Sequence, residues 1–510
     1  MNPLNDPSAH PAMLHRRSFL KRMAQAGLYT TAASSPLFAQ SEKHQTVRLT
    51  RFDKLFASDK PVIAKRGVHM DLKGLPPTAD RFVQLLKIFA AARYNVVLVE
   101  WEDSFPWTVD KRFRSPTAYT PDEIRRFQDT AASLGLEIIP LVQCLGHMQT
   151  PLSVPGYEKL REIPGNSSGL NPLAPGASEL IQNMVDDVLK LLPDVRHFHL
   201  GGDEAWTLGG NPATKEYIQK HGKGALYLHH VGPILDHLNA RKVRPILWHD
   251  MMIDWDSAAL KSLAGKCDLM VWGYSGNPDT TGGHFNTKYI QRFHDHGITQ
   301  WGATAFKGCE GGTPERHSAD LPVIAEREEN AKAWAAVARR FDFAGVVATG
   351  WSRWAVDATQ CVPIDGALDS LIDVAVILHD GKPPAGGIKA CTDALADLGE
   401  KERFEACRNS MQHLTELRRR GWQTVEFARQ QVTLAKMDPR RTSARNPGEG
   451  LKVLGHLQSI VRQSDRVAAE VRRSFKELVP SVWMDQYLDV RLKPLHEELA
   501  EISAAAEKLK

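Results

Sequence analysis

Residues 195–206 read VRHFHLGGDEAW: a short, largely apolar run stops on paired glycines, and two adjacent carboxylates, Asp203 and Glu204, follow at once. A β-branched and aromatic run bounded by glycine predicts a buried strand over 195–202 with chemistry-bearing residues at its end. Seven more runs of the same kind occur along the chain: VHMDL (68–72), NVVLVEW (95–101), LEIIPLVQ (136–143), VRPILWHD (243–250), CDLMVWGY (267–274), ITQWGATAF (298–306) and FAGVVATGW (343–351). Helix-forming segments separate them. Phe82, Leu85, Leu86 and Phe89 recur at helical spacing, and TPDEIRRFQDTAASLG (120–135) opens on Thr-Pro before acidic residues and closes on glycine. VIAEREENAKAWAAVARRF (323–341) is a strong helix former throughout. Eight strands alternating with helices predict the α/β class and a closed (β/α)8 TIM barrel over 65–380, with its chemistry at the C-terminal ends of the strands.

The rest of the chain falls outside that repeat. HDGKPPAGG (379–387) reads as a linker, and 388–510 as a C-terminal α-helical region interrupted by the loop DPRRTSARNPGEG (438–450). An apolar stripe on that region leaves homodimerisation open. At the other end, HRRSFLKRMAQAGLYTTAASSPLFAQ (15–40) joins Arg16-Arg17 to Phe19-Leu20-Lys21 and a weakly apolar stretch, with a small residue at Ala39. It resembles a twin-arginine export signal, which implies a signal peptide over 1–39, a linker over 40–64 and a periplasmic or secreted bacterial protein.

The chain has 510 residues, 64 basic against 60 acidic, for a formal charge of +4. So small an imbalance, with no basic stripe interleaved with aromatics, points to no nucleic-acid partner. No apolar stretch past the N-terminus is long enough for a membrane span. The six cysteines are sparse and form no Cys-x-x-Cys pair, so no zinc or redox centre and no cofactor is expected.

The strand ends are unusually polar and aromatic. In order they carry His69, Asp71 and Lys73; Glu100, Trp101, Glu102 and Asp103; His147; His199, Asp203 and Glu204; Trp248, His249 and Asp250; Trp272 and Tyr274; Lys307; and Trp351, Arg353 and Trp354. Aromatic rings beside polar groups suit a sugar, whose faces are apolar and whose edges are not. Two neighbouring carboxylates make chemical sense if one stays ionised while the other, partly desolvated, keeps a proton to donate near neutral pH.

HLGGDEAW (199–206) resembles the His-x-Gly-Gly-Asp-Glu motif of family 20 glycoside hydrolases, the β-N-acetylhexosaminidases. HMDLKG (69–74), LVEWEDSFPW (98–107), LVQCLGHMQ (141–149), LWHDMM (247–252), TAFKG (304–308) and ATGWSRW (348–354) further resemble the hexosaminidase D branch. The resemblance spans about residues 65–360. It implies an exo-acting enzyme on carbohydrates with a terminal N-acetylhexosamine, in which the substrate's own 2-acetamido oxygen is the nucleophile. Glu204 would be the acid and Asp203 would orient the acetamido group. By the same resemblance Trp248 and Trp351 would wall the acetamido pocket, with Trp272 beside them, and Tyr274 would bond the acetamido carbonyl. His147 and His199 would hydrogen-bond the acid pair, and Glu102 or Asp103, with Lys73, would hold sugar hydroxyls. The larger family uses a first-strand arginine for that last task, where this chain reads HMDLKG.

Two other readings stand beside this one. His69, Asp71, His147, His199, His249 and Asp250 at successive strand ends suit a two-metal barrel hydrolase. Against it, the first strand carries His-x-Asp rather than His-x-His, and the last offers Trp351 where a ligating aspartate belongs. A sugar-binding homologue without catalysis is the other, and the presence of both carboxylates argues against it.

Overall fold

The computed structural model describes residues 49–310, 321–437 and 449–508. The expected export signal (1–39) and all but the last residues of the expected loop 438–450 lie outside the described residues. Among the described residues ten strands occur: β1 (Lys65–Asp71), β2 (Val96–Glu100), β3 (Glu137–Leu141), β4 (Arg161–Ile163), β5 (Asn166–Leu170), β6 (His197–His199), β7 (Arg244–Trp248), β8 (Asp268–Trp272), β9 (Gln300–Lys307) and β10 (Gly345–Gly350). Eight of them close into a barrel in the order β1-β10-β9-β8-β7-β6-β3-β2, every neighbouring pair parallel. β4 and β5 form an antiparallel hairpin inserted between β3 and β6.

Alternation along the strands decides what faces the axis. Val96 and Leu98 of β2 join a buried cluster inside the barrel with Ile139, Leu141, Ile246, Trp248, Met270 and Val347. Val97 and Val99 instead pack outward under the helices, in the large core shared with Phe82, Leu85 and Phe89. Continuing the period of two carries Glu100 inward, and the register sets His69 beside Leu98 and Asp71 beside Glu100. The polar residues at the strand ends are therefore the top layer of the barrel interior.

The helices form where the sequence places them. Ala79–Ala91 buries Phe82, Leu85, Leu86 and Phe89. Pro121–Ser133 starts at a capping box in which Thr120 and Glu123 bond each other's backbone. Ile324–Arg340 buries Trp334. The stretch 40–64 is not all linker, because Thr50–Leu55 is a helix with Phe52 and Leu55 buried.

Between the barrel and the helical region the break is short. Leu368–Asp380 runs up to Gly381, whose φ of 77° ends it, and the next helix starts at Gly387. Lys401–Met437, Glu449–Ser474 and Ser481–Glu507 follow and share the small core of Trp422, Val425, Ala428, Leu457, Leu495 and Ile502. Phe404, Met411 and Tyr487 nevertheless belong to the main core. Buried Arg81 of the barrel reaches Asp365 at 2.6 Å and Glu400 at 2.9 Å. The helical region is thus packed onto the barrel. No helix among the described residues is long and apolar enough to cross a membrane.

Candidate active site

The acid pair sits on a turn that needs its glycines. β6 ends at His199, earlier than the run 195–202 suggests, because Gly201 and Gly202 have φ of 59° and 79°. Side chains hold this turn on both sides. Gly201 donates its N–H to His199 Nδ1 at 3.0 Å, Gly202 donates to Gln143 Oε1 at 3.3 Å, and Tyr227 Oη donates to the Gly202 carbonyl at 3.0 Å. The expectation that His199 bonds the carboxylates is corrected here, since its bond goes to the turn that presents them. Burial lowers the His199 pKa to about 3, so the ring is neutral and accepts the Gly201 proton.

Glu204 itself has φ of 46°, as do Glu102 (45°) and His147 (54°) in the same region. The left-handed region costs a non-glycine residue about 1–2 kcal/mol. At Glu204 the conformation is held by Asp250 Oδ2, which accepts its N–H at 2.9 Å, while Asp250 Oδ1 accepts from Trp272 Nε1 at 3.1 Å. A close approach fixes the other side: a Cβ on Gly146 would overlap the Asp203 carbonyl oxygen and lie 3.2 Å from the Ala205 nitrogen. Both are backbone atoms with no rotamer to yield. Gly146→Ala is expected to cost about 1–3 kcal/mol of stability, readable as a lower denaturation midpoint, and to abolish most activity even where the protein stays folded.

His147 joins the pair, its Nε2 lying 3.3 Å from Glu204 Oε2 and 3.6 Å from Asp203 Oδ2. Burial alone would lower its pKa, but the Asp203 charge and the hydrogen bonds to both carboxylates outweigh that and raise it well above 6.5. The same hydrogen bond from His147 holds Glu204 below the usual carboxylate range, against partial burial. This differs from the expectation of a raised pKa on the second carboxylate. The raised one is its neighbour Asp250, which burial and the Asp203 charge push up.

Beside the acids lies a box of rings. Trp272 stacks on Tyr274 with centroids 5.2 Å apart, Tyr274 meets Trp351 at 5.7 Å, and Trp351 meets Trp248 at 6.4 Å. Lys307 donates its ammonium to the Trp351 carbonyl at 2.8 Å and so anchors that wall. Asp203 Oδ1 and the indole nitrogens of Trp248 and Trp351 are buried without a hydrogen-bond partner among the described residues. Such groups are costly unless a ligand meets them.

A charged floor completes the site. Lys73 is 4% exposed, with its ammonium 2.6 Å from Glu100 Oε2, 3.0 Å from Asp71 Oδ1 and 5.3 Å from the centre of the Trp351 ring. Against the cost of burial, Lys73 and His69 hold Glu100 far below the usual range. Glu102 accepts from Thr150 Oγ1 at 2.8 Å, and burial raises its pKa. Burial also raises Asp103 to about 6, opposed by Arg353. Arg66, the first-strand arginine, points away to the carbonyls of Ile63, Ala64 and Arg93. The cations near the hydroxyl-binding candidates are instead Lys73 and Arg353. Among the described residues no group of three or more His, Cys, Asp or Glu side chains is arranged to hold a metal ion.

Residues 66–361, more than half of the chain, match the catalytic domain of glycosyl hydrolase family 20. The chain belongs to that family. Over 327 residues it is 32% identical to Hexosaminidase D of Homo sapiens, a match covering 62% of this chain and 66% of the human one, a little under two thirds. Over 326 residues it is 30% identical to Hexosaminidase D of Bos taurus, covering 62% and 92%. In fold it is similar to the chitobiase of Flavobacterium johnsoniae, with a TM-score of 0.52 at 15% identity over 88% of this chain and 78% of that one.

The parts that several residues play in this family 20 site escape a reading by strand ends. Asp250 stands in the strand-end series, yet its part as acceptor for the Glu204 N–H follows only from the folded turn. Gln143, which also donates to Glu100 Oε1 at 3.2 Å, occupies an inward position just past β3, and the period of two points to it. Glu162 lies in the hairpin far from any motif, and no sequence pattern marks it.

Proposed function

We propose that this protein is an exo-acting β-N-acetylhexosaminidase that works with retention through its substrate's own acetamido group. One observation supports the reading most directly. Asp203 Oδ1 is a buried acceptor without a donor, beside a box of aromatic rings. A 2-acetamido group fits both features: its N–H supplies the missing donor and its methyl the apolar contact. Its carbonyl oxygen then attacks the anomeric carbon as the glycosidic bond breaks, and the positive charge that develops on the ring nitrogen lies against Asp203. Glu204 gives its proton to the departing oxygen and later takes one from water.

His147 supplies the proton bookkeeping. In the free site the shared proton rests on its imidazole, and Glu204 acquires it when a glycosidic oxygen comes within reach. Activity therefore survives up to the raised His147 pKa and falls as pH rises through it. His147→Gln leaves the proton to Glu204 alone, so the alkaline limb of kcat/KM is expected to move down from above pH 6.5 toward the ordinary glutamate range. An unmoved limb would assign that limb to another group.

A panel of chromogenic β-glycosides differing at C2 and C4 tests the function as a whole. Cleavage of 2-acetamido sugars alone is the expected result, and equal cleavage of plain β-glucosides would overturn it. The Arg16-Arg17 segment supports a further reading, that the mature protein works outside the cytoplasm. Replacing both arginines by lysine is expected to stop its export, and unaltered export would remove that reading.

A further inference from the structure

The strand-end loops are held from outside the barrel at two places. At one, the hairpin β4–β5 grips the loop after Glu204: wholly buried Glu162 accepts at Oε1 from the N–H groups of Gly209 at 2.8 Å and Asn211 at 3.1 Å, and from the Thr214 hydroxyl. At the other, the C-terminal helical region reaches three loops in a row. Strand β1 lies between β10 and β2 in the barrel, and the residues that follow these strands include Lys73, Trp351 and Asp103. Thr78, after β1, donates its N–H to the Leu478 carbonyl at 2.8 Å and its hydroxyl to the Glu477 carbonyl at 2.7 Å. Thr117, after β2, accepts from Trp483 Nε1 at 2.7 Å, and Ser115 of the same loop donates its N–H to the Asp103 carbonyl at 2.7 Å.

The grip on the loop after β10 runs through Gln486, on the helix Ser481–Glu507. Its Oε1 accepts from Arg353 Nη2 at 2.7 Å and from Gln360 Nε2 at 3.0 Å. Arg353 Nη1 donates to the Val356 carbonyl at 2.6 Å, which closes the loop on itself. Gly74 gives the guanidinium its room, since a Cβ there would lie 2.5 Å from Arg353 Nε. Buried Gln360 also donates to the Gly74 carbonyl at 3.2 Å, while buried Arg491 of the same helix donates to the Gln360 carbonyl. A guanidinium that has lost most of its water stays where acceptors replace that water, so Gln486 fixes where Arg353 rests. From Arg353 the contacts run inward to the floor of the site. Its backbone N–H and that of Ser352 donate to Asp71 Oδ2 at 3.1 Å and 2.8 Å, and the other oxygen of Asp71 holds the Lys73 ammonium that faces the Trp351 ring.

We propose that the C-terminal helical region is a working part of the substrate site, with Gln486 as its positioning residue: by holding Arg353 it holds the loop after β10 and, through Asp71, the Lys73 and Trp351 surfaces. This rests on the hexosaminidase reading, in which the cleaved sugar lies against those surfaces. Asp203, Glu204 and His147 sit on other loops, after β6 and β3. The anchor therefore acts on how tightly the sugar is held and not on proton transfer.

Two substitutions in the full chain test this on a chromogenic 2-acetamido β-glycoside. Gln486→Lys removes the acceptor and sets an ammonium against the guanidinium. It is expected to raise KM about tenfold, the order of one lost charge-assisted hydrogen bond, with kcat kept to within about threefold. Gln486→Glu keeps an acceptor of the same reach and is expected to retain the native KM. Because Gln486 lies at the surface, both variants are expected to keep the native denaturation midpoint. A native KM in Gln486→Lys, an equal rise in both variants, or a fall in kcat in place of the rise in KM overturns the positioning role and leaves the hexosaminidase reading intact. Native enzyme that cleaves no 2-acetamido glycoside overturns both.

Discussion

Glu204→Gln is expected to lower kcat by about two to four orders of magnitude on alkyl and sugar glycosides, the usual worth of a general acid. The amide has no proton to give to the leaving oxygen, and an alkoxide leaves poorly without one. Because Glu204 is half-exposed and its backbone is held by Asp250 rather than by its own side chain, the variant should fold normally. Leaving-group dependence separates this from a structural effect. A dinitrophenyl glycoside, whose leaving group needs little protonation, is expected to recover most of the lost rate. Equal losses on both substrate types would show that Glu204 is not the acid.

Asp203→Asn is expected to cost about two to three orders of magnitude in kcat, comparable with removing one preorganised electrostatic partner of a transition state. Substrate binding should change much less. The asparagine keeps the size of the side chain but removes the charge that, in the proposed mechanism, would face the developing oxazolinium nitrogen and matter most as the ring closes. A thiazoline mimic of the intermediate should bind the native enzyme far more tightly than substrate does, and the variant with most of that advantage gone. Fluorosugars that trap carboxylate nucleophiles should label nothing. A stable glycosyl adduct on Asp203, found by mass spectrometry, would replace substrate assistance with a direct nucleophile.

Much of this architecture is legible in linear order because a barrel strand is a local object. Each of the eight apolar runs is short, bounded by turn-formers and followed by polar residues, and each appears as a strand of the barrel. The disagreements have local causes. The run 195–202 breaks at His199 because two consecutive glycines adopt positive φ, which composition allows but does not require. The linker reading of 379–387 shrinks to 381–386 because Leu378 and His379 still pack on the core, and helix persists as long as its buried face has something to meet.

The chemistry divides along the same line. The identity of the acid pair, the aromatic character of the strand ends and their arrival at one end of the barrel follow from residue type and a period of two, both properties of the chain read in order. Which carboxylate carries the proton does not follow. Adjacency suggests that Glu204 is raised by Asp203, yet the folded site brings His147 from another strand to within 3.3 Å and lowers it, while Asp250 takes the upward push. A pKa responds to every charge and every loss of water within a few ångströms, and those neighbours come from strands 50 residues or so apart, so roughly the last few ångströms of approach settle it. The same holds for Glu162, anonymous in sequence, which braces the loop after Glu204 only once the hairpin has packed against that loop.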